Sequence, residues 1–306
     1  MFRRLWLLVG VLSSATAFAD AYDFRIYQLG NPACNRAGDG SCMGVGYRAD
    51  SNANFRSFTR RLAAAMTSVN LAPPETLGHS AFAIGVELSV VDFGSAIGAT
   101  NLPTTQPVQG AVLLPSIHIR KGLPWSFEVG VRAAWLEKSR MGAGTLELKW
   151  ALNEGFTYLP DIGVRGYVTK LLNTRDFDVT AGGLDVGIGK QFAIAGMVTI
   201  TPYAGWNLSF VGATSGSVDF NPGRTLADSD QVKVPTVQEN YNVFDPVMAA
   251  QNTNNRFYGG FRFIAGVVQL GFEVSYTVLG SFDDKDVGRV EIPAVLAYNS
   301  MIGFDF

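Results

Sequence analysis

Residues 125–136 read WSFEVGVRAAWL. Trp125, Phe127, Val129, Val131, Ala133 and Trp135 alternate with Ser126, Glu128, Gly130, Arg132 and Ala134. Successive side chains of a strand point to opposite faces, so this stretch predicts a strand with one wholly apolar face and one face that carries charge. The pattern recurs along the chain. Phe82, Ile84, Val86, Leu88 and Val90 oppose Gly85, Glu87 and Ser89; Ile117 and Ile119 oppose Ser116, His118 and Arg120. Leu146, Leu148, Trp150 and Leu152 oppose Glu147, Lys149 and Asn153; Ile162, Val164 and Val168 oppose Arg165 and Thr169. Phe177 and Val179 open a further strand that Leu184, Val186 and Ile188 finish with Asp185 opposite, and the change of phase near Gly182-Gly183 predicts a bulge. Ala204, Trp206, Leu208 and Phe210 oppose Asn207 and Ser209; Phe257, Phe261, Phe263 and Ala265 oppose Tyr258 and Arg262; Leu270, Phe272, Val274, Tyr276 and Val278 oppose Glu273, Ser275 and Thr277. With the carboxy-terminal stretch this makes about ten strands, within a range of about eight to twelve.

The first residues suggest where such strands reside. MFRRLWLLVGVLSSATAFAD has the basic, apolar and A-x-A parts of a signal peptide over 1–19, with cleavage before Asp20. The chain is apolar (47% hydrophobic, 16% charged), with 34 Gly and 21 Phe. Beyond the leader every long apolar run is interrupted by a charge, such as Glu87 or Arg262, so a spanning helix of about 20 apolar residues is not expected. An exported apolar chain without such helices can be a soluble β protein or a membrane β-barrel, whose strands need only about 9–11 residues each. Tryptophan at both ends of the apolar face in 125–136 suits the two membrane interfaces. The net charge of −2, shifting to about −4 without Arg3 and Arg4, argues against nucleic acid as a partner. Connections alternate between tight (121–124, 267–269) and long (212–255, with Pro222, Pro235 and Pro246). Ten strands with short periplasmic turns put both barrel ends in the periplasm and 212–255 outside.

The chain ends YNSMIGFDF, in which Tyr298, Ser300, Ile302, Phe304 and Phe306 are alternate residues and Ser300 alone breaks the apolar row. This tail resembles the terminal strand of Gram-negative outer-membrane β-barrels, which typically ends in an aromatic residue. The resemblance spans roughly 81–306 and is one of fold class. It implies an outer-membrane location, lipid against Tyr298, Ile302, Phe304 and Phe306, and recognition of that strand by the barrel-assembly machinery.

Residues 20–80 do not alternate. Cys34 and Cys42, around a Gly- and Asn-rich turn in an exported chain, predict a small disulfide loop; a metal site would lack further ligands. In SNANFRSFTRRLAAAMTSVNL, Asn52 or Asn54 can cap a helix over about 54–69 with Phe55, Phe58, Leu62, Met66 and Val69 on one face and Arg56, Arg60 and Arg61 off it. The helix could enter the lumen as a plug, as amino-terminal segments do in the long-chain fatty-acid transporter family, or pack across the periplasmic mouth. The compactness of the unit favours the plug.

The expected inward residues are balanced: Glu87, Glu128, Glu147, Asp185 and Glu273 against Arg120, Arg132, Lys149, Arg165 and Arg262, with His118 besides. A selective pore shows an excess of one sign, so this set predicts salt bridges filling a narrow barrel. Catalysis finds little support. His118 suits a luminal hydrogen-bonding role, His79-Ser80 are merely adjacent, and FDDKDVG lacks the calcium-loop spacing. The sequence thus predicts a monomeric, cofactor-free outer-membrane barrel. Its first expected role is a narrow plugged channel for small or hydrophobic solutes; the alternative is a non-conducting structural or surface-interaction barrel, and an outer-membrane hydrolase comes third.

Overall fold

The computed structural model describes residues 21–30, 35–36, 42–43, 51–67, 69–93, 102–104, 111–156, 158–194, 198–219 and 241–306. Residues 1–19, where the leader is expected, and Cys34 lie outside them, as do residues 220–240 of loop 212–255. Ten antiparallel strands form a closed ring: β1 Phe82–Asp92, β2 Ala111–Leu123, β3 Phe127–Trp135, β4 Gly142–Asn153, β5 Asp161–Leu172, β6 Phe177–Gly189, β7 Val198–Ser215, β8 Thr253–Ala265, β9 Val268–Val278 and β10 Val295–Asp305. Each pairs with its neighbours in sequence, and β10 returns to β1 in the register Ile302↔Val86. The Phe306 N–H donates to Phe82 O (2.8 Å) and the Phe82 N–H to Phe306 O (2.9 Å), so the aromatic end of the chain fastens the seam.

Alternation sorts the strands as expected. In β1 every second residue from Phe82 to Leu88 is exposed, while Ala83, Glu87, Ser89 and Val91 are buried. Leu146, Leu148, Trp150, Phe257, Phe272 and Tyr276 carry the same exposed face round the ring, and Tyr298, Ile302, Phe304 and Phe306 continue it. A contiguous exposed apolar belt on a closed barrel is the arrangement lipid requires, since closure leaves no unpaired strand edge in hydrocarbon. Among the described residues no helix is long and apolar enough to cross a membrane.

Two expectations fail locally. β6 has no bulge at Gly182-Gly183. Its register with β5 and β7 runs unbroken through Tyr167↔Gly183 and Phe210↔Gly182. Phe177 and Val179 point inward, and Leu184 outward. The phase change in the hydrophobicity is a change in what fills the lumen: apolar near one end, charged further down. At the start of β3, Trp125 and Ser126 belong to the three-residue turn 124–126 instead of the strand, with left-handed φ of +61° and +60°.

The connections at one end are tight or modest (124–126, 154–160, 190–197, 266–267); at the other they include 93–110, 216–252 and 279–294. By the rule that outer-membrane barrels turn their short connections to the periplasm, the short-turn end, where Phe306 also lies, is taken as periplasmic and the long-loop end as outer.

Ahead of the barrel stand α1 (Tyr27–Gly30), a short ladder pairing Asn35–Arg36 with Cys42–Met43, and α2 (Ser51–Met66). Helix α2 begins and ends three residues earlier than the spacing predicted. Its neighbours are lumen-facing side chains of β6, β7, β8 and β10 and the loops beyond them.

Candidate functional site

Among the described residues, chemistry-bearing side chains collect in the lumen, which divides into three levels. The outer level is apolar. Phe55, Phe58, Leu62 and Met66 of α2 are all at most 3% exposed and pack against inward residues such as Leu114, Leu171, Phe177, Val179 and Val211. Phe55 stacks on Phe244 at 4.6 Å, and Phe58 meets Phe24 at 5.0 Å and Phe177 at 5.8 Å, both edge-on. The polar face of α2 is enclosed as well. Arg60 bonds Asn254 Oδ1 (3.0 and 3.2 Å), Thr253 O (2.6 Å) and Leu279 O, and Arg61 bonds Phe93 O. The expectation that Arg60 and Arg61 lie off the packed face holds only for the apolar face; inside a barrel both faces are covered. The Arg256 guanidinium of β8 donates to Ala64 O (2.7 Å) and Thr67 Oγ1 (2.6 Å), satisfying a terminal carbonyl and placing positive charge at the negative end of the helix dipole.

The middle level is an alternating chain of charge across six strands. Arg132 Nε lies 2.6 Å from Glu87 Oε2, and Glu87 Oε1 lies 2.8 Å from His118 Nδ1. His118 Nε2 is 2.8 Å from Glu147 Oε1, Glu147 Oε2 is 2.8 Å from Arg165 Nη1, and Arg165 Nη2 is 2.6 Å from Asp185 Oδ2. Every member is at most 5% exposed. With a carboxylate at each ring nitrogen, His118 can donate both bonds only as imidazolium. Arg165 also donates to Val69 O (3.2 Å), tying the network to the segment that follows α2. Ser116 bonds Glu87 and Arg132, not His118, so no base-activated hydroxyl stands here. Beside it, Glu273 Oε2 accepts from the Leu71 N–H (2.9 Å) and the Tyr203 hydroxyl (3.1 Å), and Asn70 Nδ2 donates to the Tyr258 hydroxyl (3.2 Å).

The lower level holds residues 73–78. Lys149 Nζ lies 3.1 Å from Glu128 Oε1 and donates to Glu75 O (2.9 Å); Glu128 Oε2 accepts from the Leu77 N–H (2.9 Å). Arg120 is 3.5 Å from Glu128, and Arg262 pairs with Glu75. The wall is cut back to admit this segment. A Cβ on Gly163 would stand 2.6 Å from Pro74 O, and one on Gly122 would stand 1.9 Å from Gly78 O.

All ten predicted lumen charges are thus buried inside the ring. The pairings differ from sequence proximity. Arg132 turns to Glu87 on another strand and not to Glu128, because Glu128 lies a level lower beside Lys149. Sequence reasoning missed Glu75, Arg256, Asn254 and Tyr203; Glu75 lies in an irregular stretch, and the others have no paired charge nearby in sequence to mark them. The disulfide expectation rests on Cys34, outside the described residues. Among the described residues no group of three or more His, Cys, Asp or Glu could hold a metal ion.

No protein-family model and no curated sequence matches the chain. Several solved structures are similar. Ail, the attachment invasion locus protein of Yersinia pestis, is 12% identical over 74% of this chain and 99% of its own, with a TM-score of 0.27. Neisserial surface protein A is 10% identical over 74% and 98%, at 0.28. The outer membrane protease OmpT from Escherichia coli is 7% identical over 74% and 96%, at 0.35. Likeness at this level assigns no activity. The closed ten-stranded ring and its apolar belt make this chain an outer-membrane β-barrel of the Gram-negative type.

Proposed function

We propose that this protein is a closed, non-conducting barrel whose working surface is its outer face: a structural or surface-interaction protein of the outer membrane. The observation that carries this reading is the filled lumen. α2 occupies the outer level, the paired charges from Arg132 to Asp185 the middle, and residues 73–78 the lower. Open aqueous channels belong to about 16–18 strands, whereas narrow barrels are filled by side chains. A hydrolase is disfavoured because both His118 nitrogens are engaged by carboxylates in a buried site. The barrel-assembly machinery is its expected partner through the strand ending at Phe306, and the monomer its expected state.

Planar-bilayer recording of the purified full chain tests this. Silence is expected; stable single-channel current from the unmodified protein refutes it. A plugged uptake channel for small or hydrophobic solutes is the second reading. It is favoured by the way α2 is held, through side-chain bonds such as those of Arg60 and Arg256 and not by strand pairing. An Arg60→Ala/Arg256→Ala variant that folds and conducts would move the balance to that reading.

A further inference from the structure

The path of the chain before β1 has a direction. Residues 21–25 are bonded to the outer loops. The Tyr22 N–H donates to Lys138 O (2.9 Å), the Ser139 hydroxyl and Arg140 N–H donate to Asp23 Oδ1 (3.0 and 3.1 Å), and Phe24 forms a β-bridge with Thr104. Helix α2 starts among outer-end residues too, since Asn52 and Asp245 exchange two bonds of 2.9 Å. Its far end meets Arg256, Val69 meets Arg165, and Leu71 meets Glu273 in the middle of the barrel. Leu77 then meets Glu128 near the short turns, and Phe82 pairs with Phe306 at the periplasmic seam. Residues 51–80 therefore run the length of the lumen from the long-loop end to the short-turn end. The reach suffices: 16 helical residues rise about 24 Å, and the extended stretch beyond adds more, against an apolar band about 25 Å tall.

We propose that this barrel carries its own amino-terminal segment across the outer membrane and presents residues 21–30 at the cell surface, docked on the loops around Thr104 and 136–141. The assignment does not depend on whether the lumen conducts. It makes α2 a strut that holds an exported segment, and it makes that segment part of the face offered to the outside.

The test is one of sidedness on intact cells. Gln28→Cys is introduced into a Cys34→Ser/Cys42→Ser background and labelled with a membrane-impermeant maleimide. Lys285→Cys in an outer loop and Tyr158→Cys in a short turn serve as references. The expected result is labelling of position 28 in intact cells as complete as at 285, with position 158 labelled only after permeabilisation. Labelling of position 28 only after permeabilisation overturns the proposal, as does a failure of 285 to label from outside. Should the cysteine-free background fail to fold, an epitope inserted after Ala21 in the otherwise unchanged chain gives the same decision. Antibody binding to intact cells supports the proposal, and binding only to permeabilised cells overturns it. Heat-modifiable migration confirms folding in each case.

Discussion

Glu87 is the group on which the middle of the lumen turns, and Glu87→Gln tests the paired-charge account most directly. The substitution keeps the shape of the side chain and removes its charge. Three bonds change: Arg132 Nε at 2.6 Å, His118 Nδ1 at 2.8 Å and Ser116 Oγ at 3.0 Å. Hydrogen bonds to a charged group contribute about 1.5–3 kcal/mol each, so independent bonds would sum to more than the network can lose at once. The better guide is that removing one partner of a buried ion pair costs about 3–5 kcal/mol, because the other charge stays buried without compensation. Arg132 has Glu87 as its carboxylate partner, while His118 keeps Glu147. The loss is therefore expected to come chiefly from Arg132. A second substitution separates desolvation from fold damage: Glu87→Gln/Arg132→Met replaces the stranded cation by an apolar chain and recovers most of the lost stability. The assay is urea unfolding in lipid vesicles, followed by heat-modifiable migration and tryptophan emission. A single variant within about 1 kcal/mol of the parent, or a double variant no more stable than the single, refutes the reasoning, since surface-like pairs are worth only that much.

Three further outcomes are expected. Gly163→Val drives a side chain into Pro74 O and dislodges residues 73–78, seen as new maleimide labelling of a Pro73→Cys reporter, in a Cys34→Ser/Cys42→Ser background, in the folded barrel; unchanged labelling counts against the fitted lower level. Phe58→Ala empties a buried site between Phe24 and Phe177 and costs about 3–5 kcal/mol in the same urea assay; a loss below about 1 kcal/mol would mean that α2 is not packed in the ring. Deletion of Phe306 removes its two bonds to Phe82 along with the terminal aromatic, and lowers the amount of folded protein in the membrane; normal levels with normal migration sink this view of the terminus.

The outer surface of the barrel was legible because it faces one solvent throughout. Lipid demands apolar residues from Phe82 to Phe306, so the period of two survives in every strand. The lumen face was legible only where it is charged. In β6 the inward Phe177 and Val179 are as apolar as the outward Leu184 and Val186, and hydrophobicity carries no phase where both sides are dry. The same enclosure explains Arg60 and Arg61. A helical wheel separates their face from that of Phe55 and Leu62, but cannot say that asparagine side chains and loop carbonyls wait on the other side. The partners of each lumen charge depended on the stagger of strands around the ring, and this brings His118 between Glu87 and Glu147 without any mark in their spacing.

The bonds between Phe82 and Phe306 join the two extremes of the barrel sequence. Contacts so far apart in sequence form late, although the entropy of closing a long loop grows only logarithmically with its length. By then the interior must already be complete, because a ring packed like this leaves no passage for a 16-residue helix. Assembly accordingly has an order: the sheet wraps a helix that is already in position, and the last strand latches behind it. Sideways escape of that helix requires a whole row of strand bonds to part at membrane depth, where no water compensates them. The lifetime of the folded protein is thereby set by the rate at which one seam opens, a kinetic barrier distinct from the equilibrium stability of the parts it encloses.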